Sequence, residues 1–273
     1  MNITKITDYI EQSKKGTYVV ALAGGSASGK SYLGGMLLDW GLEHGYDTVI
    51  LHQDDFAIGR KWAGKDSSPY RWDDPENYRL KEAYDVLEKF LHGKTLDFLA
   101  YTLEKHEPHE KKELAWSYSR RPLGRQLVII EGLFSWQEPF DTIVDLKVFL
   151  EVNIWHRYVL RLQRNVHEIG VVNFQKVTEQ YFTFVTRAHF GLLEPAKESA
   201  DLLFTNIIDL AKLKVARGKR VVPYEYVMYF DDDIKIGLDR KGYIQIANNY
   251  GVVFHEEVSD DIIQEMMNVA EIR

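Results

Sequence analysis

The sequence contains no cysteine among its 273 residues. Disulfides, thiolate nucleophiles and cysteine-ligated zinc are therefore excluded. It also has no apolar run near the roughly 18 residues that a membrane-spanning helix needs. Nor does it have an excess of basic residues: 34 Lys and Arg stand against 41 Asp and Glu, for a net charge of -7. Proteins that bind nucleic acid or anionic membranes are usually basic. We therefore expect neither partner, and since the N-terminus shows no signal-peptide pattern we expect a cytoplasmic globular protein.

Strand-like and helix-like segments alternate along the first 200 or so residues. Buried β-rich runs are predicted at 18–23, 47–51, 127–130, 146–150 and 200–204, with helices between them. This alternation predicts an α/β fold with an open, mainly parallel sheet and helices on both faces. After about Lys219 the pattern changes to short aromatic strands and a last helix near Asp260. We therefore predict one domain over 1–218 and a small β-rich C-terminal extension over 219–273.

One glycine-rich motif carries the strongest chemical signal. Gly24–Ser31 reads GGSASGKS and fits the phosphate-binding pattern G-x-x-x-x-G-K-[ST] between a predicted strand and a predicted helix. In such a P-loop, backbone N–H groups and the helix N-terminus face phosphate oxygens. Lys30 is predicted to neutralise the β- and γ-phosphates, and Ser31 to ligate Mg²⁺. The motif predicts a P-loop NTPase-type fold that binds ATP or GTP. The predicted nucleotide contacts are Gly24, Gly25, Ser26, Ala27, Ser28, Gly29, Lys30, Ser31 and Tyr32.

Carboxylates follow two of the predicted strands. The second strand runs into Gln53-Asp54-Asp55-Phe56, and the third ends in Glu131-Gly132. Ligands of open α/β sheets bind beyond the carboxyl ends of the strands. Phosphoryl transfer to a hydroxyl needs one carboxylate to orient and deprotonate the acceptor, and another to organise the metal shell. Asp54 is therefore the predicted base, and Ser31, Glu131 and Asp54 are the predicted Mg²⁺ residues.

In this order the motifs resemble the uridine kinase and phosphoribulokinase family of P-loop small-molecule kinases. The resemblance covers about residues 17–206. It rests on the P-loop, the Gln-Asp-Asp-Phe segment at 53–56, Trp-Asp-Asp-Pro at 72–75, Gly-Lys-Thr at 93–95, Ile-Ile-Glu-Gly at 129–132, the arginines of 157–164 and Glu-Pro-Ala-Lys-Glu-Ser-Ala-Asp at 194–201. Seven ordered matches are more specific than any one of them.

The resemblance implies roles for residues on the acceptor side. Asp54 corresponds to the family's catalytic base, and Asp73 to the acid that holds two ribose hydroxyls. A turn cap before Pro75 is the alternative reading of Asp73. The residues implied to bind the acceptor are Asp73, Tyr101 and His106, the last two in a β-hairpin predicted at about 96–118, and Gln180.

Three arginines fall on the family's lid, predicted here at about 154–172. Arg157, Arg161 and Arg164 recur at four- and three-residue spacing on one face of a predicted helix. A lid of this kind closes on the triphosphate and spreads transition-state charge. We expect Arg157 to bind the nucleotide and Arg161 and Arg164 to act with Lys30 in catalysis. A solvated charged face is the alternative reading of the same spacing.

The acceptor side also departs from the family pattern. Ala57 replaces a tyrosine of uridine kinases, Thr102 an aspartate, and Leu160 and Ile169 two lid arginines. The resemblance implies a Mg²⁺-dependent kinase that transfers the γ-phosphoryl group of ATP or GTP to a small acceptor, in first place the 5′-hydroxyl of a nucleoside. Nicotinamide riboside, pantothenate and sugar phosphates stay open as acceptors, as does a nucleotide-binding regulator without kinase activity. The sequence also leaves open a homo-oligomer and the role of the extension.

Overall fold

The computed structural model describes residues 2–59, 73–94, 96–102, 105, 107–116, 124–168, 174–206, 209–215 and 219–272. The strands in chain order are β1 (Thr17–Ala23), β2 (Asp47–His52), β3 (Leu96–Thr102), β4 (Glu107–Leu114), β5 (Gln126–Glu131), β6 (Leu146–Glu151), β7 (Leu202–Thr205), β8 (Tyr224–Phe230), β9 (Ile234–Asp239), β10 (Ile244–Asn248) and β11 (Gly251–Glu256). The α-helices are α1 (Thr4–Gln12), α2 (Lys30–Glu43), α3 (Leu80–Leu91), α4 (Ile154–Glu168), α5 (Phe174–Gln180), α6 (Thr186–Ala188), α7 (Glu194–Lys197) and α8 (Asp260–Glu271). Two π-helical turns, Tyr181–Val185 and His189–Leu193, join α5 to α6 and α6 to α7.

The chain divides into two compact units, and each unit is built from two separate segments of the chain. The first comprises Met1–Glu151 and Ala188–Asn206, and the second comprises Val152–Arg187 and Ile207–Arg273. The predicted division at residues 218 and 219 follows the change of sequence pattern, whereas the compact units follow the packing. Among the described residues, no helix has both the length and the apolar character needed to cross a membrane.

A parallel sheet of five strands forms the centre of the first unit. Its order is β2-β5-β1-β6-β7, and each neighbouring pair is parallel. Alternate residues of β5 face opposite sides of the sheet. Leu127 and Ile129 pack with residues of α1 and α2, whereas Val128 and Ile130 pack with residues of α3. This burial on both faces explains the continuous apolar runs of the strands, and it confirms the predicted α/β fold with helices on both faces.

An antiparallel hairpin lies beside this sheet in the first unit. Its second strand, β4, is Glu107–Leu114, within the hairpin predicted at about 96–118. The sequence of β4 is EPHEKKEL, and four of its eight residues are exposed. Such a polar segment shows no strand periodicity, because its conformation depends on pairing with β3 rather than on its own composition. Phe98 and Ala100 of β3 are buried in the same core as α3.

The second unit combines helices with an antiparallel sheet. The aromatic strands expected after Lys219 form a sheet in the order β11-β10-β9-β8. One apolar core joins this sheet to α4, α5, the first π-helical turn and α8. Its members include Trp155, Tyr158, Val177, Phe182, Met228, Ile236, Ile246 and Met266. The C-terminal sheet is therefore the packing partner of the helix that carries the predicted lid arginines.

Candidate active site

The P-loop turns sharply between β1 and α2. Gly24 has φ of 147°, and a Cβ built on it would lie 2.5 Å from the carbonyl oxygen of Leu150. Gly29, the N-cap of α2, has φ of 94°. Both conformations favour glycine. Lys30 Nζ donates hydrogen bonds to the carbonyl oxygens of Gly24 and Gly25, at 2.9 and 3.1 Å. The loop therefore holds the amino group of Lys30 at its centre.

The polar groups of this loop fit an anion. Helix α2 begins at Lys30, and the N-cap, Gly29, supplies no side-chain oxygen to its first N–H groups. Such N–H groups carry positive potential and are satisfied by a ligand when no side chain caps them. Ser28 is fully buried, and its Oγ has no hydrogen-bond partner among the described residues. The loop thus offers unsatisfied polar groups and one lysine charge where the sequence predicts nucleotide phosphates.

Glu131 forms a small polar cluster at the carboxyl end of the sheet. The register of β1, β5 and β2 places Glu131 beside Leu22 on one side and His52 on the other. Ser31 Oγ lies 3.1 and 3.2 Å from the two carboxylate oxygens of Glu131. His52 Nδ1 lies 2.7 Å from Oε1 of the same carboxylate. A serine hydroxyl beside a carboxylate is the oxygen set that Mg²⁺ prefers, so the residues present fit the predicted metal.

The charge state of this cluster follows from its contacts. Burial raises the pKa of Glu131, but the hydrogen bond from His52 and the charge of Lys30 outweigh burial, and the pKa is lowered overall. The hydrogen bond to Glu131 raises the pKa of His52, against the effect of burial. Glu131 is therefore ionised at neutral pH and available as an anionic ligand. Sequence reasoning gave His52 no role, although its position at the end of the strand next to β5 was visible.

The other predicted metal residue, Asp54, is exposed in a 3-10 turn at Gln53–Phe56. Across the described ranges no three His, Asp or Glu side chains form a metal-binding group. A P-loop site needs fewer protein ligands, because phosphates and water complete the coordination shell of Mg²⁺. A metal role for Asp54 stays a prediction.

A close contact between Gln53 and Gly132 packs the turn that carries Asp54 against the end of β5. Gln53 is fully buried, and its Oε1 accepts a hydrogen bond from the backbone N–H of Phe134 at 2.9 Å. A Cβ built on Gly132 would lie 2.2 Å from that same Oε1. The position therefore requires glycine for close approach, and the Gln-Asp and Glu-Gly segments recognised in the sequence are in direct contact.

This contact predicts that Gly132→Ala is destabilising. The added methyl group displaces Gln53 and breaks its bond to Phe134, and together overpacking and a buried unpaired N–H cost about 3 kcal/mol. In a protein of this size that is a fall of roughly 10 °C in melting temperature. Gly35→Ala is the matched control, because a Cβ there meets nothing within 4 Å. In the helix interior it stabilises by about 0.5–1 kcal/mol. Equal melting temperatures for the two variants contradict the contact.

Asp54 and Asp73 lie on two segments that are joined by backbone hydrogen bonds. The N–H of Ile58 donates to Asn77 O, and the N–H of Arg79 donates to Phe56 O, each at 2.8 Å. The chain just after Asp54 is therefore paired with the chain just after Asp73. This pairing brings the two acids predicted for the acceptor side into one part of the first unit.

Asp73 is the more unusual of these two acids. It is 5% exposed, and its Oδ2 has no hydrogen-bond partner in the described part of the chain. The turn cap that the sequence allowed for Asp73 is made by its neighbour, because Asp74 Oδ1 accepts from the N–H of Glu76 at 3.1 Å. A buried carboxylate oxygen without a donor is costly unless a ligand supplies one. This oxygen of Asp73 could accept a hydrogen bond from a hydroxyl group, and the role of Asp73 at the acceptor stays a prediction.

The hairpin packs against the turn that carries Asp54. Phe98 of β3 stacks on Phe56, with 4.6 Å between ring centroids and 16° between planes. Tyr101 lies further along β3 and is half-buried. Next to it Thr102, where uridine kinases have an aspartate, has a buried Oγ1 with no partner among the residues described. His106, the other hairpin residue predicted to bind the acceptor, lies outside the described residues.

The lid arginines lie on α4 in the second unit, and two of the three are buried. Arg157 is 1% exposed and Arg161 is 7% exposed, whereas Arg164 is exposed. A solvated charged face, the alternative reading of the sequence, is therefore wrong for Arg157 and Arg161. Residues 169–172 of the predicted lid lie outside the described residues, and Gln180 is the half-buried last residue of α5.

Arg157 is the most deeply buried of these cations. Its Nε donates to the carbonyl oxygen of Val152 at 3.1 Å. Both terminal nitrogens are buried without a hydrogen-bond partner within the described ranges. A buried guanidinium without a counter-charge is strongly unfavourable. Arg157 therefore suits an anionic ligand, and its contact to the nucleotide stays a prediction.

Comparison with known proteins places these features in a family. The sequence model of the Phosphoribulokinase / Uridine kinase family matches residues 19–211. The uridine kinase-like protein 5 of Arabidopsis thaliana is 26% identical over 206 residues, which are 72% of this chain but only 42% of that protein. The uridine kinase of Bacillus mycoides is 28% identical over 211 residues, which are 72% of this chain and 92% of that enzyme.

Solved structures show the same fold. A structure described as a possible uridine kinase from Bacillus stearothermophilus matches with a TM-score of 0.51 and 21% identity, over 74% of this chain and 96% of that one. The match covers the P-loop fold and leaves about a quarter of this chain outside it.

Proposed function

Because this chain belongs to the Phosphoribulokinase / Uridine kinase family, a family of kinases, we propose that it transfers the γ-phosphoryl group of ATP or GTP to the 5′-hydroxyl of a nucleoside. The names of its relatives support this acceptor at 26–28% identity. The observation that carries the proposal is the buried carboxylate of Asp73, whose Oδ2 has no partner among the described residues. One carboxylate can accept hydrogen bonds from two vicinal hydroxyls, which is the pattern that a ribose presents.

The nucleotide side of the reaction uses the P-loop. Backbone N–H groups of Gly24–Ser31 and the N-terminus of α2 bind the phosphate oxygens. Lys30, whose amino group lies within the loop, exchanges its carbonyl partners for the β- and γ-phosphates and neutralises charge there. Ser31 and Glu131 would hold Mg²⁺, which supplies further neutralisation of the triphosphate when bound. We propose that Arg157 contacts the nucleotide and that Arg161 and Arg164 act in catalysis, and Tyr32 stays a predicted nucleotide contact.

The acceptor side uses Asp54 as the base. Its carboxylate accepts the proton of the acceptor hydroxyl while the hydroxyl oxygen forms a bond to the γ-phosphorus. The bond between that phosphorus and the β–γ bridging oxygen breaks, and the nucleoside diphosphate leaves. Asp73 holds the sugar so that a single hydroxyl faces Asp54, and such positioning is a large part of phosphoryl-transfer catalysis. Tyr101, His106 and Gln180 remain the predicted contacts to the base and the nucleoside.

An acceptor panel tests this proposal directly. ADP formation is measured with nucleosides, nicotinamide riboside, pantothenate and sugar phosphates, each with and without enzyme. We expect ADP formation that depends on a nucleoside, together with a thermal shift by nucleoside as well as by ATP–Mg²⁺. If only a non-nucleoside supports ADP formation, that compound class replaces the nucleoside as the proposed acceptor. A thermal shift by nucleotide only, without ADP formation, would favour a nucleotide-binding regulator instead. A cytoplasmic location and a homo-oligomeric state stay predictions.

A further inference from the structure

The first turn of α4 is attached to the C-terminal sheet by polar and aromatic contacts. Trp155 stacks on Tyr229 of β8, with 5.9 Å between ring centroids and 14° between planes. The next residue, His156, makes a hydrogen bond through Nε2 to Oδ2 of Asp231. The hydroxyl of Tyr229 donates to the same carboxylate oxygen at 2.8 Å. Trp155 and His156 thus both contact the C-terminal sheet, and the next residue of α4 is the buried lid arginine, Arg157.

The carboxylate of Asp231 is held rigidly at the turn between β8 and β9. Its other oxygen, Oδ1, accepts hydrogen bonds from the N–H groups of Asp233 and Ile234, each at 2.9 Å. Burial raises the pKa of Asp231, but the hydrogen bonds from Tyr229, Ile234 and His156 outweigh burial and lower it. The side chain of His156 is only 14% exposed. The side chains of His156 and Asp231 are therefore both constrained. Their hydrogen bond fixes the start of α4 relative to the turn between β8 and β9.

Helix α4 is also held by the helices that follow it. The hydroxyl of Tyr158 lies 2.8 Å from Thr178 Oγ1, with both groups buried. The hydroxyl of Tyr181 donates to the carbonyl oxygen of Ile154 at 2.6 Å. Helix α4 therefore contacts both α5 with its π-helical continuation and the C-terminal sheet. The sheet contacts His156, the residue directly before Arg157.

We propose that His156, Asp231 and Tyr229 are positioning residues, which hold the first turn of α4 and thereby orient Arg157 and Arg161 for phosphoryl transfer. This assigns the C-terminal extension a part in the reaction: it acts as the fixed support of the arginine helix. The consequence for catalysis rests on the proposed function, since the arginines act on a triphosphate only if the chain is a kinase. Displacement of catalytic groups by about 1 Å can lower a rate by about 10²-fold.

A second histidine–aspartate pair in the same sheet provides a matched control. His255 Nε2 lies 2.6 Å from Oδ2 of Asp239, whose Oδ1 accepts from the N–H groups of Lys241 and Tyr243. This pair joins β11 to the end of β9 and includes no residue of α4. Removing either histidine removes one comparable histidine–aspartate hydrogen bond, but of the two histidines only His156 connects the sheet to α4.

The test compares His156→Ala, His156→Gln and His255→Ala in the full chain. Steady-state kinetics with nucleotide and acceptor are combined with amide hydrogen exchange over residues 154–162. We expect His156→Ala to lower kcat by about tenfold, as a displaced catalytic group does, and to speed exchange over 154–162. The acceptor KM should stay within about twofold, because Asp54 and Asp73 lie in the other unit. His156→Gln should restore both quantities, since its amide can donate to the same carboxylate.

His255→Ala should lower the melting temperature as much as His156→Ala while leaving kcat and the exchange over 154–162 unchanged. Equal losses of kcat in the two alanine variants, or unchanged exchange over 154–162 in His156→Ala, would overturn the positioning role. If the wild-type chain phosphorylates no acceptor, the proposed function fails by itself. The inference is then decided by exchange and by ATP affinity: faster exchange with weaker ATP binding in His156→Ala supports it, and no change in either overturns it.

Discussion

The Asp54→Asn variant is expected to lose about 10³-fold in kcat, because a positioned general base contributes roughly 10²–10⁴-fold. The substitution keeps the size of the side chain and removes its ability to accept the proton of the acceptor hydroxyl. ATP affinity, measured by calorimetry in the absence of acceptor, is expected to stay within about twofold of wild type, since the phosphate contacts come from the P-loop. The loss is therefore in the chemical step rather than in nucleotide binding.

The adjacent acid supplies the control for this variant. Asp55 Oδ1 forms an ion pair with Lys112 Nζ at 2.9 Å, so its carboxylate is engaged with the hairpin. We expect Asp55→Asn to cost at most about 1 kcal/mol of stability, as partly exposed ion pairs do, and to leave kcat within about threefold. Wild-type turnover in Asp54→Asn, or a comparable loss in both variants, would remove Asp54 from the mechanism.

The Asp73→Asn variant is expected to raise the acceptor KM and to lower kcat/KM for the acceptor by about 10²-fold. Hydrogen bonds to a charged group are worth about 1.5–3 kcal/mol each, and 1.4 kcal/mol corresponds to a factor of ten. The KM for ATP should not change. The melting temperature of the ligand-free protein should not fall. Oδ2 of Asp73 has no hydrogen-bond partner among the described residues, and an unpaired buried polar oxygen does not stabilise the folded state. Loss of acceptor binding without loss of stability distinguishes a binding residue from a structural one.

Asp74→Asn is the control for Asp73→Asn. Asp74 caps the 3-10 turn at Pro75–Asn77 by accepting from the N–H of Glu76, and asparagine caps equally well. We expect kinetic constants and melting temperature close to those of wild type. If Asp73→Asn leaves the acceptor KM unchanged, or if it destabilises the protein while Asp74→Asn does not, Asp73 is a structural acid and the argument for a ribose-bearing acceptor fails.

Much of the first unit could be predicted from the sequence because its signals are local. The parallel strands are continuous apolar runs, which are typical of strands buried on both faces. The P-loop has a fixed spacing whose glycines are required by the backbone, as φ at Gly24 and Gly29 shows. Acids at the ends of β2 and β5 must lie near the P-loop, because parallel strands bring their carboxyl ends to one edge of the sheet.

The remaining features depend on contacts between distant segments, which no local pattern encodes. The partnership of His52 with Glu131 requires the pairing of β2 with β5. The polar strand β4 forms only by pairing with β3. The burial of Arg157 cannot be predicted from the sequence, because the spacing of the arginines is that of a solvent-exposed helix face. The shared core of the C-terminal sheet and α4 joins segments that the sequence pattern assigned to separate domains.

The central claim is that a nucleoside hydroxyl receives the γ-phosphoryl group at a site organised by Lys30, Asp54 and Asp73. The most direct measurement supplies ATP–Mg²⁺ with a nucleoside or with its 5′-deoxy analogue and follows ADP, inorganic phosphate and phosphorylated product by ³¹P NMR. We predict one nucleoside 5′-monophosphate for each ADP formed, and neither product with the 5′-deoxy analogue. ADP and inorganic phosphate released at the same rate with and without the 5′-hydroxyl would contradict the account, because the chain would then transfer phosphate to water.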